Sequence, residues 1–211
     1  MKENKKERQS PETALQFLKD GNKRFQSNLR LNRDLLDEAH QTAGGQNPFA
    51  TVLSCIDSRV SSELIFDQGI GDLFSIRVAG NIVNEDILGS MEFANAVSTS
   101  KVIVVLGHTK CGAVGAACNN SRFDHLPKLN ELIIEIEKSV KAVDFPKEED
   151  QRNTTNEKFF DDVVRKNVEL AIKNLKKDSP ALAEMANDPS KLIIIGGVHD
   201  ISNGVVKFFD E

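Results

Sequence analysis

Two short clusters hold the residue types that metal chemistry needs: Ser54-Cys55-Ile56-Asp57-Ser58-Arg59 and Gly107-His108-Thr109-Lys110-Cys111-Gly112. Two thiolates and a neutral imidazole suit a soft or borderline dication, and a zinc site that does chemistry keeps three protein ligands and leaves a fourth position open. Cys55, His108 and Cys111 supply that count, and the two thiolates cancel the charge of the ion. Taken singly, each cysteine reads better as a small buried hydrophobe and His108 as a hydrogen-bonded loop residue. It is the trio that points to metal. Asp57, two residues from one thiol, can either bind the metal or hold a metal-bound water. Arg59 can decide between these by a bidentate pair with the carboxylate, or the pair can simply brace a loop.

The clusters share a setting. Each follows a short apolar run, Ala50 to Leu53 and Val102 to Leu106, of the kind that forms a buried parallel strand. Both therefore stand where a strand ends and a helix begins, at the sheet edge where open α/β folds bind ligands. The pattern predicts an α/β fold in one domain over 1–211, with a mostly parallel sheet flanked by helices. Four parallel strands are expected over 50–55, 73–78, 101–107 and 191–198. An antiparallel edge strand ending near Phe209 is announced by Asn203-Gly204. Longer helices are expected over 85–98, 126–143 and 157–177, the second and third with clear apolar faces. Shorter ones are expected over 61–69 and 111–118 and from Ser179-Pro180, and 144–156 reads as a polar loop too charged to bury.

Before this α/β core, which starts at 48, lies a helical arm over 10–47, preceded by a flexible leader over 1–9. Ser10-Pro11-Glu12 opens its first helix: a capping hydroxyl, a proline for the first turn and an acid at the positive end of the dipole. Ala14, Leu15, Leu18 and Phe25 form a stripe that fits either the chain's own core or a neighbouring subunit. A short helix over 34–43 is broken by Gly44-Gly45.

Composition narrows the function classes. A net charge of −5, with no Trp or Tyr among the aromatics, argues against nucleic acid as a partner. No apolar run approaches the ~20 residues of a membrane span. Three cysteines in a 211-residue chain make a disulfide scaffold improbable, and a charged start lacks a signal-peptide core, so the cytoplasm is expected. Cys118, His40, His125 and His199 read as structural, and Gly196-Gly197 lacks the helix start that a phosphate loop requires.

Cys-x-Asp-x-Arg at 55–59 and His-x-x-Cys at 108–111, with Phe66 to Asp72, Arg77 to Asn81 and Gly89 to Ala94 between them, resemble the β-class carbonic anhydrases. The likeness is close over about residues 46–118. It implies one zinc ion per chain on Cys55, His108 and Cys111, and reversible CO2 hydration by zinc-hydroxide attack with the Asp57–Arg59 dyad orienting the nucleophile. In an inactive closed state Asp57 would become the fourth ligand. Gln46 matches a glutamine that hydrogen-bonds substrate, usually across a subunit interface. Phe74, Ala79 and Phe93 match the wall of an apolar CO2 pocket, and amides near Gly80 and Gly112 match bicarbonate donors. Ala79 stands where Val is frequent and Phe93 where Tyr is frequent, which removes a hydroxyl. Val52 replaces the Trp beside which some members bind a regulatory bicarbonate, so that site is not expected. The family forms dimers or tetramers with the N-terminal helix laid over a partner. Two alternatives keep the same cluster: hydrolysis of COS or CS2, or zinc binding without turnover. The presence of Asp57, Arg59 and Gln46 argues against the last, since structural zinc needs none of them.

Overall fold

Runs of consecutive buried residues build the centre of the sheet. In the computed structural model, which describes residues 10–98 and 100–209, the arm holds α1 (Pro11–Gln26) and α2 (Leu35–Thr42). There follow β1 (Ala50–Ser54), α3 (Ser62–Ile65), β2 (Leu73–Arg77), α4 (Glu85–Glu92), β3 (Val102–His108) and α5 (Gly112–Cys118). The remainder is α6 (Pro127–Lys141), α7 (Glu157–Asp178), α8 (Pro180–Ala186), β4 (Ile193–His199) and β5 (Val206–Phe208). The leader expected over 1–9 lies outside the described residues.

The strand order is β2-β1-β3-β4-β5, with β5 the antiparallel member. Every residue of β1 and of β3 is buried, as their uninterrupted apolar character requires of strands covered on both faces. On one face Ala14, Leu15 and Leu18 of α1 pack over Val52, Val104 and Ile195. On the other, Val168, Ala171 and Leu175 of α7 pack over Leu53, Ile103 and Val105, joined by Ile87 and Met91 of α4 and Leu182 of α8. Each Val, Leu, Ile or Met among them, fully buried, contributes about 1.5–3 kcal/mol of transfer free energy. Two glycines set how closely α7 approaches: an added Cβ would stand 2.7 Å from Val168 Cγ2 at Gly107 and 2.8 Å from Val168 Cγ1 at Gly196.

The arm is held in cis. The stripe of α1 covers the chain's own sheet. Ser10 Oγ caps it, accepting from Thr13 N at 3.2 Å. Asn22 pins it further, donating to Ile65 O and Gly204 O and accepting from Val206 N. Buried Asp67 accepts from Arg24 Nε and Leu31 N, while Arg33 donates to its carbonyl, strapping the arm to the loop before β2.

Two local expectations are corrected. The helix expected over 85–98 gives way at Phe93 to a wider turn, Phe93–Val97. Asn95 Nδ2 donates to Met91 O and Ser98 N reaches back five residues to Phe93 O, which is a π-type insertion. The helix expected over 61–69 is limited to Ser62–Ile65. The loop over 144–156 contains a short turn, Glu149–Gln151, and is anchored by Arg152, which donates to Val140 O, Val143 O and Pro146 O and lies over the Phe159 ring.

Candidate metal centre

The site lies where the sheet topology changes direction. From β1 the chain passes to β2 on one side and then returns to β3 on the other, which opens a crevice at the carboxyl ends of β1 and β3. Cys55 follows β1 directly, and His108 is the last residue of β3. Thr109 and Lys110 turn the chain, Lys110 with φ +55, and Cys111 is the residue that precedes α5. Exposure is 4% at Cys55, 0% at His108 and 1% at Cys111, so three ligand-type side chains are withdrawn from water together.

Their donor atoms lie within 4.8 Å of one another, and the two sulfurs are 3.9 Å apart. His108 Nδ1 lies 3.0 Å from Thr109 O. A carbonyl only accepts, so Nδ1 carries the hydrogen and Nε2 offers its lone pair. That Nε2 is buried and has no hydrogen-bond partner among the described residues. A buried polar atom without a partner calls for an explanation, and beside two thiols it is explained by a metal ligand. Hydrogen bonding with Cys111 holds the Cys55 thiol well below the usual thiol range, and the same pairing pushes Cys111 up. The donor set fits zinc.

Asp57 stands at the mouth of this cluster. Its Oδ1 accepts from Arg59 N and Nε, both at 2.9 Å, and its Oδ2 accepts from Arg59 Nη2 at 2.7 Å. Its Oδ2 is 3.9 Å from His108 Nε2. The Arg59 guanidinium holds the Asp57 carboxyl well below the usual carboxylate range. Arg77, at the end of β2, donates to Cys55 O at 3.0 Å and Asp57 O at 2.6 Å and so fastens the backbone between them. Its place at a strand's carboxyl end and in the Arg77 to Asn81 segment of the resemblance marks it in the sequence, without naming that task.

Other expected residues stand apart from the cluster within one chain. Gln46 is exposed and precedes the amino end of β1, whereas Cys55 follows its carboxyl end, ~13 Å away along the strand at about 3.3 Å per residue. Phe74 pairs in register with Thr51, well back from the ligand edge. It meets Phe93 edge to face, ring centroids 6.2 Å apart, in a groove of about 520 Å3 beside β2 that none of the three ligands lines. Ala79 is half-buried, and Gly112 is exposed with open space where a Cβ would stand. Gly80 N–H is directed at Cys55 Sγ, 3.4 Å away.

The chain matches the family model described as carbonic anhydrase over residues 50–206. It is 45% identical over 109 residues to carbonic anhydrase 2 of Mycobacterium tuberculosis, covering 51% of this chain and 53% of that protein. The matched part therefore spans about half the length of that relative. It is 34% identical over 197 residues to the carbonic anhydrase of Pseudomonas aeruginosa, covering 90% of this chain and 86% of that one. The solved structure of the β-carbonic anhydrase CcaA is similar with a TM-score of 0.71 at 27% identity, over 93% of this chain and 95% of that chain.

Proposed function

Because this chain belongs to the β-class of the carbonic anhydrase family, we propose that it catalyses the reversible hydration of CO2 to bicarbonate and a proton. Cys55, His108 and Cys111 hold one zinc ion in this reading. The observation that carries it is Asp57, a carboxylate clamped beside a complete set of three ligands where purely structural zinc would have no use for it. Zinc bound there supplies a Lewis acid that makes a coordinated water acidic.

The chain's own residues do the rest. Thr109 O fixes the His108 tautomer, so that Nε2 faces the ion. Asp57 Oδ2 accepts a hydrogen from the nucleophile and thereby aims its lone pair at CO2. Because Arg59 keeps this carboxylate ionised, Asp57 orients the nucleophile and does not carry its proton away. Arg59 also restrains Asp57 from the open ligand position; loss of that fork is the route to an inactive closed state with Asp57 as fourth ligand. Gly112 N–H is assigned to bicarbonate. Gln46, Phe74, Ala79 and Phe93 are assigned to the substrate pocket of an assembled enzyme, with Gln46 reaching a neighbouring protomer's site. Self-association as a dimer or tetramer is supported by the exposed apolar side chains of Leu64, Ile70, Phe93 and Val97. The chain is read as one domain. No helix among the described residues is long and apolar enough to cross a membrane, and three free cysteines support a cytoplasmic setting.

Stopped-flow CO2 hydration on protein of measured zinc content tests the proposal. One zinc per chain and a rate that rises from neutral to alkaline pH are expected. One zinc without CO2 turnover, but with hydrolysis of COS or CS2, would move the substrate. Failure to take up zinc would refute the ligand assignment.

A further inference from the structure

Asn167 interrupts the apolar seam of α7 between Val164 and Val168 and is 5% exposed. An amide in such a place is costly unless its hydrogen bonds are made. Both ends of this one are engaged. Its Oδ1 accepts from Ser139 Oγ of α6 at 3.0 Å, and its Nδ2 donates to Gly80 O at 2.7 Å. Gly80 sits at φ +67, in the left-handed region, and a Cβ there would be 2.5 Å from Ile136 Cδ1. From that pose Gly80 N–H is 3.4 Å from Cys55 Sγ. One glycine is therefore gripped at its carbonyl by a helix amide while its N–H meets a ligand sulfur. An apolar side chain of similar volume at 167 would fill the seam without a buried amide to satisfy, but would leave the Gly80 carbonyl unheld.

We infer that Asn167 is a positioning residue of the metal centre: by holding Gly80 O it fixes the turn so that Gly80 N–H is delivered to the Cys55 sulfur. An N–H bond to a thiolate withdraws charge from it and orients its lone pairs, and partners of this kind typically change metal affinity 10–100-fold. The inference rests on Cys55, His108 and Cys111 holding zinc.

Asn167→Leu keeps the branching and heavy-atom count of the side chain and removes both hydrogen bonds. Zinc affinity, measured by competition with a chromophoric chelator, is expected to fall 10–100-fold. The thiolate-to-metal charge-transfer band of the cobalt-substituted protein is expected to move. Ser139→Ala breaks the far hydrogen bond but leaves the grip on Gly80, and should lower Tm without moving band or affinity. Unchanged band and affinity in a folded N167L would overturn the inference. So would equal changes in S139A, which would assign the effect to a loosened α6–α7 seam. If N167L does not fold, Asn167→Asp replaces it, alike in size but lacking the amide donor. In wild-type protein loaded with an NMR-active cadmium isotope, the Gly80 amide proton must couple to the metal, and absence of that coupling overturns the inference without any variant. A wild-type chain that takes up no metal refutes the zinc reading and this inference with it. A metal-replete wild type beside an unaltered N167L refutes the inference alone.

Discussion

Gly107→Ala is the substitution whose cost can be worked most directly from the structure. Gly107 is the strand residue before His108, and its added methyl would stand 2.7 Å from Val168 Cγ2 and 3.3 Å from Val164 Cγ1. It has no left-handed φ to preserve, so the cost is overpacking against α7, about 1–3 kcal/mol. For a chain of 211 residues that lowers Tm by about 2–12 °C, at 2–4 °C per kcal/mol. Val168 is fully buried, and Val168→Ala alone removes two methyl groups and leaves a small cavity, a loss of about 2–3 kcal/mol. In the double variant the new methyl at 107 enters the space vacated at 168. The paired cost should then fall short of the sum of the single costs by at least ~1 kcal/mol. Urea unfolding of metal-loaded protein at one fixed protein concentration measures this, provided the m-values agree. Additive costs would refute the reasoning, because they would mean that Val168 is not what the absence of a side chain at 107 accommodates.

Asp57→Asn should retain zinc and lose about 10²-fold in CO2 hydration, the scale of a misoriented nucleophile; an unchanged rate, measured by stopped-flow, would remove the carboxylate from the mechanism. Gln46→Ala should impair turnover without changing metal content, and mixing it with Asp57→Asn should restore activity, because the hybrid pairs an intact Asp57 with the other protomer's intact Gln46. Hybrids no more active than their parents would return Gln46 to its own chain. His199 supplies a pH test. Burial pushes its imidazole down to about 4, with His108 adding to the effect, whereas an unfolded histidine titrates near 6.5. Between those values the unfolded chain binds a proton that the folded chain refuses, so stability falls as pH drops through that window, by up to roughly 3 kcal/mol. His199→Leu should remove this component, and parallel stability profiles for variant and wild type at equal metal occupancy would show that His199 is charged in the fold.

The metal cluster is legible in the sequence because its parts are local. His108 and Cys111 are three residues apart, Asp57 and Arg59 two apart, and each cluster closes an apolar run whose observed strand ends differ by at most two residues from those expected. The antiparallel last strand is announced by Asn203-Gly204, and Gly204 takes φ +83 there. What escapes is nonlocal or masked by a stronger pattern. Asn167 and Ser139 hide inside amphipathic helices as single polar residues, and Asn167 meets a carbonyl 87 positions away. The π-type turn at Phe93 depends on Asn95 bonding back to Met91, a choice that helical periodicity does not record. The stripe of α1 suits two surfaces equally, and only the packing against Val52 and Val104 shows which it covers. Phe74 and Phe93 are expected at a pocket wall but share a groove away from the ligands, because the β1–β2 register sets the height of Phe74 and the turn after α4 brings Phe93 to it.

The margins of the sheet differ in valence. At one end β5 offers three residues with Lys207 at their centre, a short charged margin of the kind that resists strand addition. At the other, β2 presents five residues whose free side faces away from β1. A second copy that extends the sheet has one place to do so, and a two-fold meeting of β2 with β2 uses up that place in both chains. Growth along the hydrogen-bonding direction then ends after a single step, so this route yields a finite ten-stranded particle and never a fibre.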